Sequence, residues 1–196
     1  MNAIFDALGA TIAGGLILLM IFSAMTNIQV ISLNMQQQSI LNKMSEDLLS
    51  GRTVNNIDYP GLGFYLSKVG AGVSSNSILE ALSNSFKFQG QLSPFSGIST
   101  FQIKSGTAVN GVFPLYVYVN NMSTPVLGPF WLAESLNITY YDVNNTEIVN
   151  PNSNRSAIRS ARFYFNFTMT TTRPDIDKRL VRYPMVYWKY FKNLYL

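Results

Sequence analysis

The sequence predicts an α+β protein in which one long N-terminal helix packs, with its C-terminal half, on an antiparallel β-sheet head. Residues 7–25 carry no charge, residues 26–50 continue in helix-compatible sequence, and the chain beyond residue 86 alternates apolar and polar residues. Those three patterns are typical of a bilayer-length helix, an amphipathic helix and half-buried strands, respectively. We expect a stem helix at residues 1–50 and a globular β-rich head at residues 51–196.

The stem is expected to be one continuous helix of about 75 Å at 1.5 Å per residue, because no proline interrupts it. Gly51 stands where a left-handed C-terminal cap is expected. The inner half of the stem carries a narrow apolar stripe with steps of three and four residues, which should face the head. The stripe consists of Val30, Leu33, Gln37, Leu41, Met44 and Leu48.

The apolar half of the stem is the candidate assembly surface. It is not an ordinary secretory signal, because no Lys or Arg precedes it. Glycines inside this half weaken a helix in water but allow neighbouring helices to approach closely. The candidate residues are Gly9, Gly14, Gly15, Leu16, Leu19 and Phe22, together with Asp6.

The head is predicted to begin with a loop at residues 53–73 and a short helix at residues 77–83, opened by a Ser77 to Glu80 capping box. Pro184 suggests that the last strand lies at an edge of the sheet. The sheet should cover its apolar face with the inner half of the stem, the only long amphipathic element available. Six strands are predicted, at residues 86–89, 100–104, 115–119, 137–143, 161–170 and 181–190.

The composition argues against an enzyme. The 196 residues include no His and no Cys, so the usual general base, metal ligands and thiol nucleophile are absent. Asp175 and Asp177 are too few carboxylates for a calcium site and are better interpreted as a charged turn. We therefore expect no catalytic residue, no metal and no cofactor.

The C-terminal region is basic and aromatic. Nine of the fourteen Lys and Arg residues follow residue 154, although the chain as a whole carries only +4. Aromatic rings with interspersed cations are used to bind single-stranded nucleic acid, but Tyr, Trp and Arg are also enriched at protein interfaces. The second interpretation is preferred because no recognised nucleic-acid module accompanies the pattern. The candidate polyanion or subunit contact comprises Arg179, Arg182, Tyr187, Trp188, Lys189 and Lys192.

Five glycosylation sequons occur in the chain. Asn137 and Asn166 fall inside predicted strands. Asn121, Asn144 and Asn154 fall in predicted loops and are the better candidates, because the sequon is a surface signal.

The organisation resembles that of type IV pilins, and most closely the W-type minor pilins and the J-type pseudopilins of type II secretion. The most specific match is residues 65–73 (YLSKVGAGV). They are similar to the segment of an aromatic residue and then isoleucine-glycine-tyrosine-glycine that follows the stem in that family. Residues 86–90, 136–142 and 158–163 also follow in a similar order.

The resemblance implies a structural subunit of a pilus-like filament or secretion pseudopilus. Such a subunit would sit in the inner or cytoplasmic membrane before assembly with copies of itself or related subunits, and then at the cell surface. Family precursors carry a basic leader and a glutamate at the fifth mature position, whereas Asp6 stands one place later here. Met1 is then either the initiator or a processed N-terminus.

Asp6 has two interpretations. The resemblance implies that it neutralises the α-ammonium group of a neighbouring subunit, since an isolated charge in an apolar core is costly. Alternatively, it is a solvated acid at a helix start, favoured by the helix dipole. For the whole chain, the alternative to a filament subunit is a monomeric membrane-anchored binding protein whose basic and aromatic C-terminal region engages a polyanion or other ligand.

Overall fold

The computed structural model describes residues 2–54, 56–170 and 180–195, and over these ranges the chain is α+β. The helices are α1 (Asn2–Ser50) and α2 (Leu62–Leu66), with short 3-10 turns at Arg155–Ala157 and Lys192–Leu194. The strands are β1 (Gly51–Val54), β2 (Ile57–Pro60), β3 (Ile78–Ala81), β4 (Ser85–Gln91), β5 (Ile98–Ser105), β6 (Phe113–Val119), β7 (Leu127–Leu132), β8 (Asn137–Tyr141), β9 (Ser160–Thr170) and β10 (Leu180–Tyr190).

The stem helix forms as predicted. It runs without a break for 49 residues, and Gly51 follows it at φ +89°, a backbone conformation that glycine adopts at little cost. All six positions of the apolar stripe are buried or half-buried, and Leu41 and Leu48 are 1% and 0% exposed. The inner half of α1 packs on β7, β9 and β10.

Strands β3 to β10 form one antiparallel sheet in the order β10-β9-β7-β6-β5-β4-β3, with β8 paired to β9 beside β7. Its inner face is aromatic, and Phe163, Phe165 and Phe167 of β9 are each fully buried. β10 lies at one edge, as Pro184 predicts. All six predicted strands are present.

Two predictions for the head are wrong. The helix predicted at residues 77–83 is strand β3, in which Ile78 and Ala81 are buried and pair with Phe88 and Phe86 of β4. A capping box is a local signal, and a helix this short has little stability of its own against burial in a sheet. The loop predicted at residues 53–73 contains most of the β1–β2 hairpin and helix α2. Strand β7 was not predicted, because its Gly128 and Pro129 resemble turn residues.

The core of the head is centred on Phe86. Its ring stacks on Phe191 with centroids 5.5 Å apart and contacts Tyr140 at 5.6 Å. Phe191 directly follows β10, so the end of the chain packs against β4, near the opposite end of the strand order from β10. The residues that follow Phe191 are thereby held against the loop between α2 and β3, where the amide of Asn193 donates hydrogen bonds to the carbonyls of Ser67 and Val69.

Candidate assembly interface

The outer half of α1 is an apolar surface without a partner inside the chain. Every residue from Ala3 to Gln29 is exposed, and the most apolar 18-residue window, with a mean hydropathy of 2.1, has none of its residues buried. By length and composition this helix can cross a membrane. The predicted assembly residues Leu16, Leu19 and Phe22 are 57%, 66% and 61% exposed. An exposed apolar surface of this size marks a protein or membrane contact.

The three glycines of the outer half have no role in the fold of the single chain. A Cβ built on Gly9, Gly14 or Gly15 would meet nothing within 4 Å. A glycine in a helix interior costs about 1 kcal/mol relative to alanine. Three glycines therefore weaken the helix, and no packing contact within the chain requires them. At about 100° per residue their Cα atoms point in three directions, roughly 100–140° apart around the axis. Close approach is therefore possible on several sides of the helix, not along one seam.

Asp6 is exposed and lies beyond the first turn of α1. The dipole effect is concentrated in the first turn, so this position gives little support to the interpretation of Asp6 as a dipole-stabilised acid. Among the residues that the structure describes, no cation lies within ion-pair distance of it. Pairing with a neighbouring subunit stays a prediction.

A second apolar stripe on the inner half of α1 was missed from the sequence. Ile28, Ile31 and Met35 are 66%, 57% and 68% exposed and line a shallow groove of about 500 Å³. They face away from the head, because at about 100° per residue they lie roughly opposite Leu33 and Gln37. The spacing of three and four residues between Ile28, Ile31 and Met35 is the sequence pattern that indicates this stripe. The apolar surface thus continues past the uncharged run, along the back of the inner half.

The structure does not bring the predicted C-terminal contact residues onto one face. Arg182 and Trp188 lie on the exposed face of β10, whereas Tyr187 and Lys189 point to the other face, where Tyr187 packs against the core. Lys192 is exposed in the 3-10 turn after the strand. Arg179, like Asp175 and Asp177, lies outside the described residues.

Burial changes the titration of the two residues on the inward face of β10. It raises the pKa of the Tyr187 hydroxyl. It also lowers the pKa of Lys189, with a smaller contribution from the charge of Lys192. Both shifts disfavour the charged form, as expected for groups partly withdrawn from water.

The exposed face of β10 carries a stack of aromatic rings that we call the aromatic ladder, consisting of Tyr141, Trp188 and Tyr190. Trp188 stacks on Tyr141 of β8 with centroids 5.0 Å apart and on Tyr190 at 5.9 Å. The guanidinium of Arg162 on β9 lies 6.0 Å from the Tyr141 ring. Arg182 makes an exposed ion pair with Glu134, at 3.7 Å, which contributes about 0–1 kcal/mol.

The sequons differ in accessibility. Asn121, Asn144 and Asn154 are exposed and lie between strands, and Asn137 is exposed on β8. Asn166 is 7% exposed, and its amide donates to the carboxylate of Glu134, so it is closed to modification in the folded head. Modification of the three loop asparagines stays a prediction.

Within the described parts of the chain, no three His, Cys, Asp or Glu side chains are grouped closely enough to hold a metal ion. No protein-family model, curated protein or solved structure matches the chain. Its function is therefore inferred from the residues and geometry set out above.

Proposed function

We propose that this protein is a structural subunit, major or minor, of a pilus-like extracellular filament or secretion pseudopilus, assembling through the apolar half of α1. The observation that carries the proposal is that every residue from 3 to 29 is exposed, in a helix whose other half is packed on the head. Burial of apolar surface contributes about 25 cal/mol per Å², so association of several such helices is strongly favoured.

The second apolar stripe, which faces outward from the inner half of α1 and is called the outward stripe below, indicates that α1 is finally surrounded by neighbouring helices and not by lipid. A bilayer core accommodates about 20 residues of helix. A span that begins near Phe5 therefore ends near Met25. Ile28, Ile31 and Met35 lie beyond that span, where a solitary anchor would expose them to headgroups and water. In a bundle of staggered stems they pack against the outer halves of neighbouring subunits.

The distribution of the glycines favours a bundle over a pair. Helices that associate as dimers place small residues on one face. Gly9, Gly14 and Gly15 point in different directions, which suits a stem with neighbours on several sides. A contact that repeats head to tail without closing gives a filament. The layout of long stem and β-sheet head, which resembles that of type IV pilins, supports the same conclusion.

The proposal gives the subunit two locations. Before assembly the outer half of α1 resides in the inner or cytoplasmic membrane, because its length and apolar composition suit a bilayer. After assembly the stems form the filament core at the cell surface, and the heads cover the outside.

One observation favours a second candidate, a monomeric membrane-anchored binding protein. In the aromatic ladder Trp188 and Tyr190 are exposed, Tyr141 is buried beneath Trp188, and Arg162 lies beside them. Exposed rings next to a cation are a surface of the kind that binds polyanions, including single-stranded nucleic acid. In a filament the same surface is a contact between heads, since Tyr, Trp and Arg are enriched at such interfaces.

Electron microscopy of cell-surface filaments, with mass spectrometry of their subunits, tests the proposal. Phe22→Asn should leave the protein in the membrane fraction but remove it from filaments, because Phe22 belongs to the candidate interface. Phe95→Asn is the matched control, since Phe95 is a fully exposed head residue at 100%. Recovery of the wild-type chain only from detergent-extracted membranes, at single-subunit size, would favour the anchored binding protein.

A further inference from the structure

A small cavity lies where the end of the chain meets the segment before β3. It has a volume of about 270 Å³ and is lined by residues 73, 74 and 76–78, by residues 155, 156, 158 and 159 near the start of β9, and by Asn193 and Leu194. Two of the lining side chains are cationic, Arg155 and Arg159, and none is acidic. Ser77 and Ser156 add hydroxyl groups. The cavity is therefore polar and positively charged.

Both guanidinium groups are held in place by backbone carbonyls. The Nη1 of Arg155 donates to the carbonyl of Leu79. The Nη1 of Arg159 donates to the carbonyls of Ser156 and Ile158 at 2.7 and 2.9 Å, and its Cζ lies 5.9 Å from the ring centroid of Tyr195. Positioning both groups in advance lowers the cost of ordering them around a ligand.

Within the part of the chain that the structure describes, each guanidinium keeps donors for a ligand. A guanidinium carries five N–H groups, and these contacts use only those of Nη1. Among the described residues no carboxylate lies within ion-pair distance of Arg155 or Arg159. Two positive charges thus share one cavity, and the described residues supply no carboxylate partner for them. Guanidinium forks and hydroxyl donors together match the oxygens of a phosphate or sulfate group.

We propose that this cavity binds a phosphate or sulfate group, either as the free ion or as a small monoester. The cavity could hold roughly nine water molecules at about 30 Å³ each, which leaves room for a small organic group beside the anion. It is below the range typical for drug-sized ligands, about 300–1,000 Å³, so a large ligand would have to extend outside. This site lies in the head and does not depend on the filament proposal.

Titration of the full-length protein in a neutral detergent tests the site. Inorganic phosphate, inorganic sulfate and glycerol phosphate are each added at ionic strength matched with sodium chloride, and binding is followed by calorimetry and by the thermal midpoint of the head. One oxyanion should bind per chain and raise the thermal midpoint, because a ligand that binds only the folded state stabilises it. Tighter binding of glycerol phosphate identifies an ester as ligand, and tighter binding of an inorganic ion identifies the free anion.

Substitutions separate the site from general charge effects. Arg159→Gln and Arg155→Gln should each weaken binding by about tenfold or more, the value of a hydrogen bond to a charged group. Arg52→Gln removes the same charge from an exposed position on β1 that does not line the cavity, and should bind as the wild type does. Arg159→Lys keeps the charge but loses the fork, and should bind weakly while the head stays folded. Equal responses to chloride and phosphate, or undiminished binding after both glutamine substitutions, would overturn the proposal.

Discussion

The hydroxyl of Tyr140 donates a hydrogen bond to the backbone carbonyl of Leu82 at 2.8 Å, although the tyrosine is only 1% exposed. Tyr140 belongs to β8, and Leu82 lies in the turn between β3 and β4. The backbone N–H of Ile138 makes a second link to the same turn, donating to the carbonyl of Ser83 at 2.7 Å. These two bonds join β8, which pairs with β9, to the turn between β3 and β4 at the other end of the strand order, with Phe86 packed against Tyr140. The hydrogen bond holds the phenol in its protonated form.

Tyr140 should make the head sensitive to alkaline pH. Burial, with a smaller contribution from the charge of Glu80, raises the pKa of Tyr140 far above its usual value. The unfolded chain ionises near pH 10 while the folded head stays protonated, so stability is full below pH 10 and falls above it. One such tyrosine lowers the free energy of unfolding by about 1.4 kcal/mol per pH unit.

Denaturant unfolding of the full chain between pH 9 and 11 measures this loss. Burial also raises the pKa of Tyr65 and Tyr187, which add to the slope. Tyr140→Phe should make the free energy of unfolding fall less steeply with pH, by the contribution of one tyrosine. An identical slope in that variant would contradict the assignment.

Much of the fold could be predicted because one-sided burial leaves a clear period in the sequence. Phe163, Phe165 and Phe167 alternate with polar residues, and the stem stripe repeats in steps of three and four. The failures arose where local chemistry and long-range pairing disagree. The capping box at Ser77 is a local signal, but the pairing of Ile78 with Phe88 ten residues later decides the structure. β7 was not predicted because Gly128 and Pro129 are turn residues in most contexts.

The candidate surfaces were predictable only in part. The glycines and Asp6 of the stem stand out because they interrupt an apolar run. The period of two predicted for β10 already places Tyr187 and Lys189 on one face of the strand and Arg182 and Trp188 on the other. These four residues therefore cannot form one patch. Tyr141 and Arg162 come from other strands, and their register against β10 is set by pairing that the sequence does not show.

Gly90 should tolerate no side chain. A Cβ built on Gly90 would collide with the carbonyl oxygen of Lys68, a backbone atom that cannot move aside cheaply. Gly90→Ala should therefore lower the free energy of unfolding by about 1–3 kcal/mol or more, as overpacking does in other cores. Gly97→Ala is the matched control, because nothing lies within 4 Å of its built Cβ. Urea unfolding of both variants should show a large loss only for Gly90→Ala; equal midpoints would contradict the prediction.

The two faces of the inner half of the stem should respond differently to substitution. Leu41 is 1% exposed beneath the head, so Leu41→Ala should lower the free energy of unfolding by about 2–5 kcal/mol. Ile31 is 57% exposed on the outward face, so Ile31→Asn should leave that free energy nearly unchanged while reducing incorporation into filaments. Thermal unfolding in detergent and the filament yield from cells measure the two effects. Normal filament yield from Ile31→Asn would show that the outward stripe is not part of the interface.

Asp6 should be required for incorporation if it neutralises an α-ammonium group of a neighbour. Asp6→Ala should abolish incorporation into filaments, because an unpaired ammonium group in the apolar core is costly. Asp6→Glu keeps the charge and should retain partial incorporation. Glu46→Ala is the control for loss of a negative charge, because Glu46 is an exposed residue on the inner half of α1. Filament yield by electron microscopy and subunit mass spectrometry gives the readout, and normal assembly by Asp6→Ala would exclude the pairing.

Introduced cysteines can distinguish a bundle of stems from a pair. The chain contains no cysteine, so any disulfide must come from the introduced residues. Ile17 and Leu19 are 58% and 66% exposed and point to nearly opposite sides of α1, about 200° apart. Oxidation of filaments carrying Ile17→Cys and Leu19→Cys together should produce a ladder of three, four and more linked chains, because each stem has neighbours on both sides. Each single variant can link only two chains and serves as the control. A double variant that stops at dimers would show that the stem associates along one face, which a paired membrane anchor does and a filament core does not.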